Sequence, residues 1–84
     1  MQITVKAEPL GISETLDMDG SMTVADFKML CCMQLVGDEN VSAWNLYHAR
    51  DNSKIPSEGP TATTEIHNHF KNGDTLILSK RQVF

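Results

Sequence analysis

The first six residues, Met1-Gln2-Ile3-Thr4-Val5-Lys6, alternate between apolar and polar side chains. A period of two puts alternate side chains on opposite faces of a strand, so this pattern predicts a strand with one dry and one wet face. The chain has only 84 residues, which is enough for one domain. In so short a chain, we expect a strand that opens at residue 1 to lie near the centre of the sheet.

The next segments predict a hairpin followed by a helix. Residues 13–19 form a second candidate strand, and the turn residues 8–11 join it to the first. Thr23 predicts the N-cap of a helix over residues 24–36, and Gly37 is a natural stop. One apolar stripe of helical period runs along this segment, formed by Val24, Phe27, Leu30, Cys31 and Leu35.

The second half of the chain predicts strands separated by loops. Residues 44–49 read as a third strand, and residues 54–55 form a short fourth candidate. Residues 65–70 predict a short helical turn, residues 72–74 predict a tight turn, and the last strand begins at residues 75–78.

This order of elements predicts an α+β fold. One helix with an apolar stripe covers one face of a mixed sheet of four to five strands, in which the first and last strands are central neighbours. Such a layout is a β-grasp. We expect one domain over residues 1–79, followed by a flexible C-terminal tail over residues 80–84.

Charge and cysteine usage exclude several classes of protein. The formal net charge is −4, whereas nucleic-acid binders are usually basic because phosphate contacts supply much of their affinity. The only two cysteines, Cys31 and Cys32, are adjacent on the predicted helix and point about 100° apart, so we expect no disulfide. With no signal-peptide pattern at the N-terminus and no long apolar run, we expect a cytoplasmic protein.

Three segments resemble ubiquitin, and together they span nearly the whole chain. The start matches the start of ubiquitin at five of six positions, and a capped helix and a turn before the last strand follow in the same order. The matching residues are Met1-Gln2-Ile3-x-Val5-Lys6, Thr23-Val24-x-x-Phe27-Lys28-x-x-Cys31 and Asn72-Gly73-Asp74-Thr75-Leu76-x-Leu78. The resemblance implies a ubiquitin-like protein that acts through protein–protein contacts.

The C-terminal residues depart from the ubiquitin pattern. Ubiquitin-like modifiers end in Gly-Gly because an activating enzyme admits only a thin tail, and glycine lets the backbone approach closely. This chain ends in Arg81-Gln82-Val83-Phe84. Arg81 falls where ubiquitin has an arginine before its glycines, whereas Phe84 falls where the first glycine would be.

The resemblance also suggests an interaction surface on the sheet. The nearest equivalents of the apolar patch of ubiquitin are Tyr47, Ile77 and Ser79, and this set is half polar. Trp44 and Tyr47 lie three residues apart on one strand, so they face opposite sides. We expect Trp44 in the core and Tyr47 exposed, with Ile77 beside it, as an aromatic anchor for a partner.

Two helical positions have alternative interpretations. Lys28, next to the apolar stripe, is either a surface lysine whose stem lies on the core or, as the resemblance suggests, a partly buried lysine paired with Asp51 or Glu58. Cys31 is expected in the core. Cys32 is expected to be the more exposed thiol, with Lys28 one turn away, and to be unreactive.

Catalysis and metal binding are not expected. A structural zinc site needs about four ligands at a recognisable spacing, which His67 and His69 do not supply with the two cysteines. The acidic residues are scattered around turns and helix ends, without a nucleophile and base beside them. We therefore predict no enzyme activity, no metal site and no cofactor.

Two functional hypotheses follow from this sequence. The first is a ubiquitin-like protein modifier, for example of a bacterial conjugation pathway, whose tail residues Arg81, Gln82, Val83 and Phe84 meet an activating enzyme or a peptidase homologue. The second is a non-conjugated ubiquitin-like adaptor or accessory subunit, for example of a secretion system or an oxygenase, and the absence of Gly-Gly favours it. Both predict a monomer whose partners are proteins, and neither involves nucleic acid or a membrane.

Overall fold

The computed structural model describes residues 1–8 and 10–80. Within these ranges the chain forms five strands and one α-helix, in the order β1 (Gln2–Glu8), β2 (Ile12–Asp17), α1 (Val24–Cys31), β3 (Trp44–His48), β4 (Lys54–Ile55) and β5 (Thr75–Lys80). Short 3-10 turns occupy Val41–Ala43, Gly59–Thr63 and Ile66–Asn68. The order of the strands and of the helix agrees with the prediction. Most strand ends differ from their predicted positions by one or two residues, and the 3-10 turns at residues 41–43 and 59–63 were not predicted.

The five strands form a single mixed sheet in the order β2-β1-β5-β3-β4. β1 pairs with β2 in an antiparallel hairpin and with β5 in parallel, while β3 is antiparallel to both β5 and β4. The expected central pairing of the first and last strands is confirmed, because β1 and β5 lie next to each other with strands on both sides. This is the predicted α+β arrangement of β-grasp type.

The helix begins where the sequence places it. Thr23 is the N-cap, and its hydroxyl accepts a hydrogen bond from the backbone N–H of Asp26 at 3.2 Å. The helical path continues beyond α1 as a π-helical stretch over Cys32–Val36 and ends at Gly37, whose φ of 66° is left-handed. The predicted bounds are therefore confirmed, although the last five residues are wound more widely than an α-helix.

One face of the sheet, which we call the covered face, carries the core. It bears Ile3, Val5, Ala7, Trp44, Leu46, Leu76 and Leu78, all buried. Against it pack the buried helical side chains of Val24, Phe27, Cys31 and Leu35. Phe27 also meets Phe70, with ring centroids 5.0 Å apart. The apolar stripe predicted from the sequence therefore faces the apolar side of the strands.

Backbone hydrogen bonds join the loop before β5 to the start of the helix. Backbone N–H groups of Val24 and Ile66 donate to the carbonyls of Thr64 and Met22, and Thr23 forms an isolated bridge with Glu65. These bonds satisfy groups that a helix N-terminus leaves without partners. No helix in residues 1–8 and 10–80 is long and apolar enough to cross a membrane.

Candidate functional site

The opposite side of the sheet, which we call the open face, carries the predicted interaction residues and is not covered by a helix from residues 1–8 or 10–80. Tyr47 and Ile77 are direct cross-strand partners, as are Asn45 and Ser79. Tyr47, Ile77 and Ser79 are all half-buried. The structure therefore brings the three predicted residues together.

These three residues line a groove of about 470 Å³. Its walls also include Glu8, Asn45, Asn52 and Lys80. Asn52 reaches the rim because its φ of 60° lets the turn between β3 and β4 close tightly. The groove is a shallow surface with an apolar centre and polar walls, which suits a protein segment better than a fully enclosed small molecule.

The four additional wall residues were missed by sequence reasoning. Glu8 lies on β1, opposite Ser79, and Lys80 ends β5, opposite Trp44. Only the strand register brings these positions near Tyr47. The sequence predicted Glu8 as part of the turn after β1, whereas the structure extends β1 through Glu8 and pairs it with Ser79.

Trp44 and Tyr47 face opposite sides of the sheet, as predicted. Trp44 is buried on the covered face, and its indole Nε1 donates to Asp38 Oδ2 at 2.9 Å. This bond, followed by one from the backbone N–H of Asn40, holds the pKa of the Asp38 carboxyl below its usual value of 3.8. The Tyr47 hydroxyl accepts a hydrogen bond from Asn45 Nδ2 at 3.4 Å, so its ring is oriented on the open face.

Lys28 is buried rather than spread over the surface. Only 3% of the residue is exposed, and its Nζ donates to the hydroxyl of Ser57 at 3.1 Å. The reading of Lys28 as a surface lysine is therefore wrong. Lys28 and Glu58 line the same small hollow, whereas Asp51 lies in an exposed turn with Ser53. The pairing with a carboxylate stays a prediction.

The expectation that Cys32 is the more exposed thiol is wrong. Both cysteines are fully buried. Cys32 is the first residue of the π-helical stretch, and this stretch contacts β2. Burial raises the pKa of the Cys31 thiol to about 12 and also raises the pKa of Cys32. Neither thiol is set up as a nucleophile.

The two histidines near the end of the loop each have a local partner. His67 Nε2 lies 2.7 Å from Glu65 Oε1, and His69 Nε2 lies 2.6 Å from the Thr64 hydroxyl oxygen. The Thr64 hydroxyl donates its own hydrogen to the Thr61 carbonyl, so His69 is the donor in the bond between His69 and Thr64. In residues 1–8 and 10–80, no group of three or more potential metal ligands comes together.

The predicted tail site lies outside the described residues. Arg81, Gln82, Val83 and Phe84 follow directly on β5, which extends through Lys80. Comparison of the chain with protein-family models and with curated proteins finds no significant match.

Proposed function

We propose that this protein is a ubiquitin-like protein that works by binding other proteins through the open face of its sheet. The observation that carries the proposal is the Tyr47–Ile77 pair, which lies side by side at the apolar centre of a polar-walled groove. Aromatic side chains with an apolar body and a polar tip are common anchors of protein interfaces. The β-grasp order of the strands and the resemblance of the first six residues to ubiquitin support the same proposal.

A partner-binding test compares one substitution on the open face of the sheet with one on the exposed side of the helix. Tyr47→Ala is expected to weaken complex formation in cells that express the protein, whereas Met29→Ala, on the exposed side of the helix, is expected to leave it unchanged. Quantitative affinity purification of both variants measures this difference. Equal recovery of partners by the two variants would contradict the proposal.

Within this class we propose the modifier as the first candidate. Its tail, with Arg81 in the position of the arginine of ubiquitin, would enter an activating enzyme and be joined through its carboxyl group to an amine of a target. Val83 and Phe84 would then be accommodated or removed first. Incubation with ATP and extract from the expressing cells, followed by mass spectrometry, should reveal an isopeptide or thioester adduct through the terminal residue.

The second candidate is a non-conjugated adaptor or accessory subunit of a larger complex, and the absence of Gly-Gly favours it. Deleting Val83 and Phe84 separates the two candidates. An adaptor keeps its complex after the deletion and loses it with Tyr47→Ala. A modifier shows an altered or absent covalent adduct after the same deletion, even where non-covalent binding through Tyr47 survives.

A further inference from the structure

The strand register places four side chains in a line across the open face, and we call this line the central row. Lys6 on β1 is the partner of Ile77 on β5, Ile77 is the partner of Tyr47 on β3, and Tyr47 is the partner of Lys54 on β4. Cross-strand partners project from the same face of a sheet. The apolar pair is therefore flanked by a lysine on each side.

The two lysines sit at the ends of a span that a short protein segment can cover. Neighbouring strands lie about 4.8 Å apart, so the backbones that carry Lys6 and Lys54 are separated by three spacings, or about 14 Å. Both lysines are exposed. Among residues 1–8 and 10–80, neither ammonium group has a hydrogen bond or an ion pair with a side chain.

The local charge of the central row differs from the charge of the whole chain. The protein carries a net charge of −4, yet the row contains two cations and no acidic residue. The acidic residues on this face lie off the row, with Glu8 opposite Ser79 and Asp17 opposite Gln2. Charges more than about 10 Å apart are largely screened at physiological salt, and Asp17 lies about 13 Å along the strand direction from Lys6. Glu8 is closer, because it is two residues from Lys6 on the same strand and lines the groove together with Lys80. The charges near a ligand on the row are therefore Lys6, Lys54 and Lys80 against Glu8, which leaves a positive balance.

We propose, building on the binding function of the open face, that its partner is an acidic segment of another protein. In that segment a large apolar side chain packs on Ile77 and Tyr47, and carboxylates on either side of it reach Lys6 and Lys54. This arrangement combines a desolvated apolar centre with charged contacts at the rim. The centre supplies affinity, and the lysines select acidic over basic partners.

A nucleic acid is the less suitable occupant of the same row. Phosphate binding gains affinity by releasing several counterions, which requires many cationic contacts along the backbone. Two lysines on a protein of net charge −4 provide few such contacts. The side-by-side apolar pair also offers a surface for a branched or aromatic side chain, which favours a protein segment.

The test selects binders from a displayed library of random peptides long enough to span the row. The bait proteins are the full chain, the Tyr47→Ala variant and the double variant Lys6→Glu with Lys54→Glu. Lys54→Glu alone is compared with Lys71→Glu, which makes the same charge change at an exposed residue that does not lie on a strand. Circular dichroism confirms that every bait is folded.

The selected peptides are expected to carry an apolar residue between acidic ones and to fail on Tyr47→Ala. The double charge reversal should weaken them about tenfold, while Lys71→Glu changes their affinity less than about twofold. Peptides that need Tyr47 but show no acidic preference would overturn the proposed partner chemistry and leave the open-face site standing. Peptides that bind the Tyr47→Ala variant as well as they bind the full chain would overturn the open-face function itself. A selection that enriches no more peptides on the full chain than on that variant would do the same.

Discussion

The two faces of the sheet are built from the same strands but have different chemistry. On the covered face, alternate residues such as Leu46 and Leu76 are fully buried beneath the helix. On the open face, their neighbours Tyr47 and Ile77 remain half-exposed and are surrounded by amides, a hydroxyl and charges. Because successive side chains on a strand point to opposite faces, one segment of sequence contributes to the core on one face and to the proposed binding surface on the other. Neighbouring residues of this chain should therefore respond differently to mutation.

The strongest test of the covered face is the reactivity of its thiols. Burial raises the pKa of Cys31 to about 12 from a usual 9.0, which by itself lowers the thiolate fraction near neutral pH about a thousandfold. We expect both cysteines to react with a thiol reagent far more slowly in the native protein than in urea. Single-cysteine variants Cys31→Ala and Cys32→Ala separate the two rates. A native Cys32 that reacts as fast as in urea would show that the π-helical stretch leaves it on the surface.

Substitutions at neighbouring positions of β3 compare the two faces directly. Leu46→Ala removes a fully buried side chain and should lower the free energy of unfolding by about 2–5 kcal/mol. Tyr47→Ala removes a half-exposed ring on the other face and should cost about 1 kcal/mol or less. Urea unfolding of both variants measures the difference. Equal losses would mean that the open face is part of the folding core rather than a binding surface.

Two lysines extend the comparison to charged residues. Lys28→Ala should lower the free energy of unfolding by about 1–3 kcal/mol, because it removes the donor to the buried Ser57 hydroxyl and leaves a cavity. Lys28→Met fills the space and should cost less. Lys6→Ala, on the open face, should stay within about 0.5 kcal/mol of the unmodified protein. A loss at Lys6 as large as that at Lys28 would contradict the solvent-facing position of Lys6 on the central row.

The smallest expected effect lies at the edge of the covered face, where Asp38 accepts a hydrogen bond from Trp44. The pKa of Asp38 is lowered below 3.8 in the folded protein, so its contribution to stability is present above that pH and is lost as the pH falls through the lowered pKa. The difference in urea midpoint between the unmodified protein and Asp38→Ala should therefore shrink in acid. Asp38→Asn keeps one oxygen acceptor without the charge, so its difference from Asp38→Ala should change little with pH.

Local patterns were sufficient to predict most of the fold. The alternation in Met1–Lys6, the cap at Thr23 and the stop at Gly37 each act over a few residues, and the structure has a strand or a helix end at each place. The β-grasp prediction followed from their order. The winding of Cys32–Val36 was missed because an α-helix and a π-helix share nearly the same local preferences, so no short sequence pattern distinguishes them.

The candidate site was predictable only in part. Tyr47, Ile77 and Ser79 were identified from the sequence, and the structure places them around one groove. Lys6 and Lys54 were not connected to them, because their proximity depends on a register that spans four strands and 71 residues of sequence, from Lys6 to Ile77. Register is a long-range property that no short pattern specifies. The burial of Lys28 likewise depends on Ser57, which is distant in sequence.

We propose that the open face binds a partner and that the outer surface of the helix does not. The most direct test replaces Tyr47, or in a matched protein Met29, with a photo-crosslinking residue and irradiates cells that express the protein. A covalent protein adduct is expected at position 47, and little adduct is expected at position 29. Excess unmodified protein should suppress the adduct at position 47, whereas an Ile77→Asp variant should not. Crosslinking of equal strength at both positions, or at position 29 alone, would contradict the proposal.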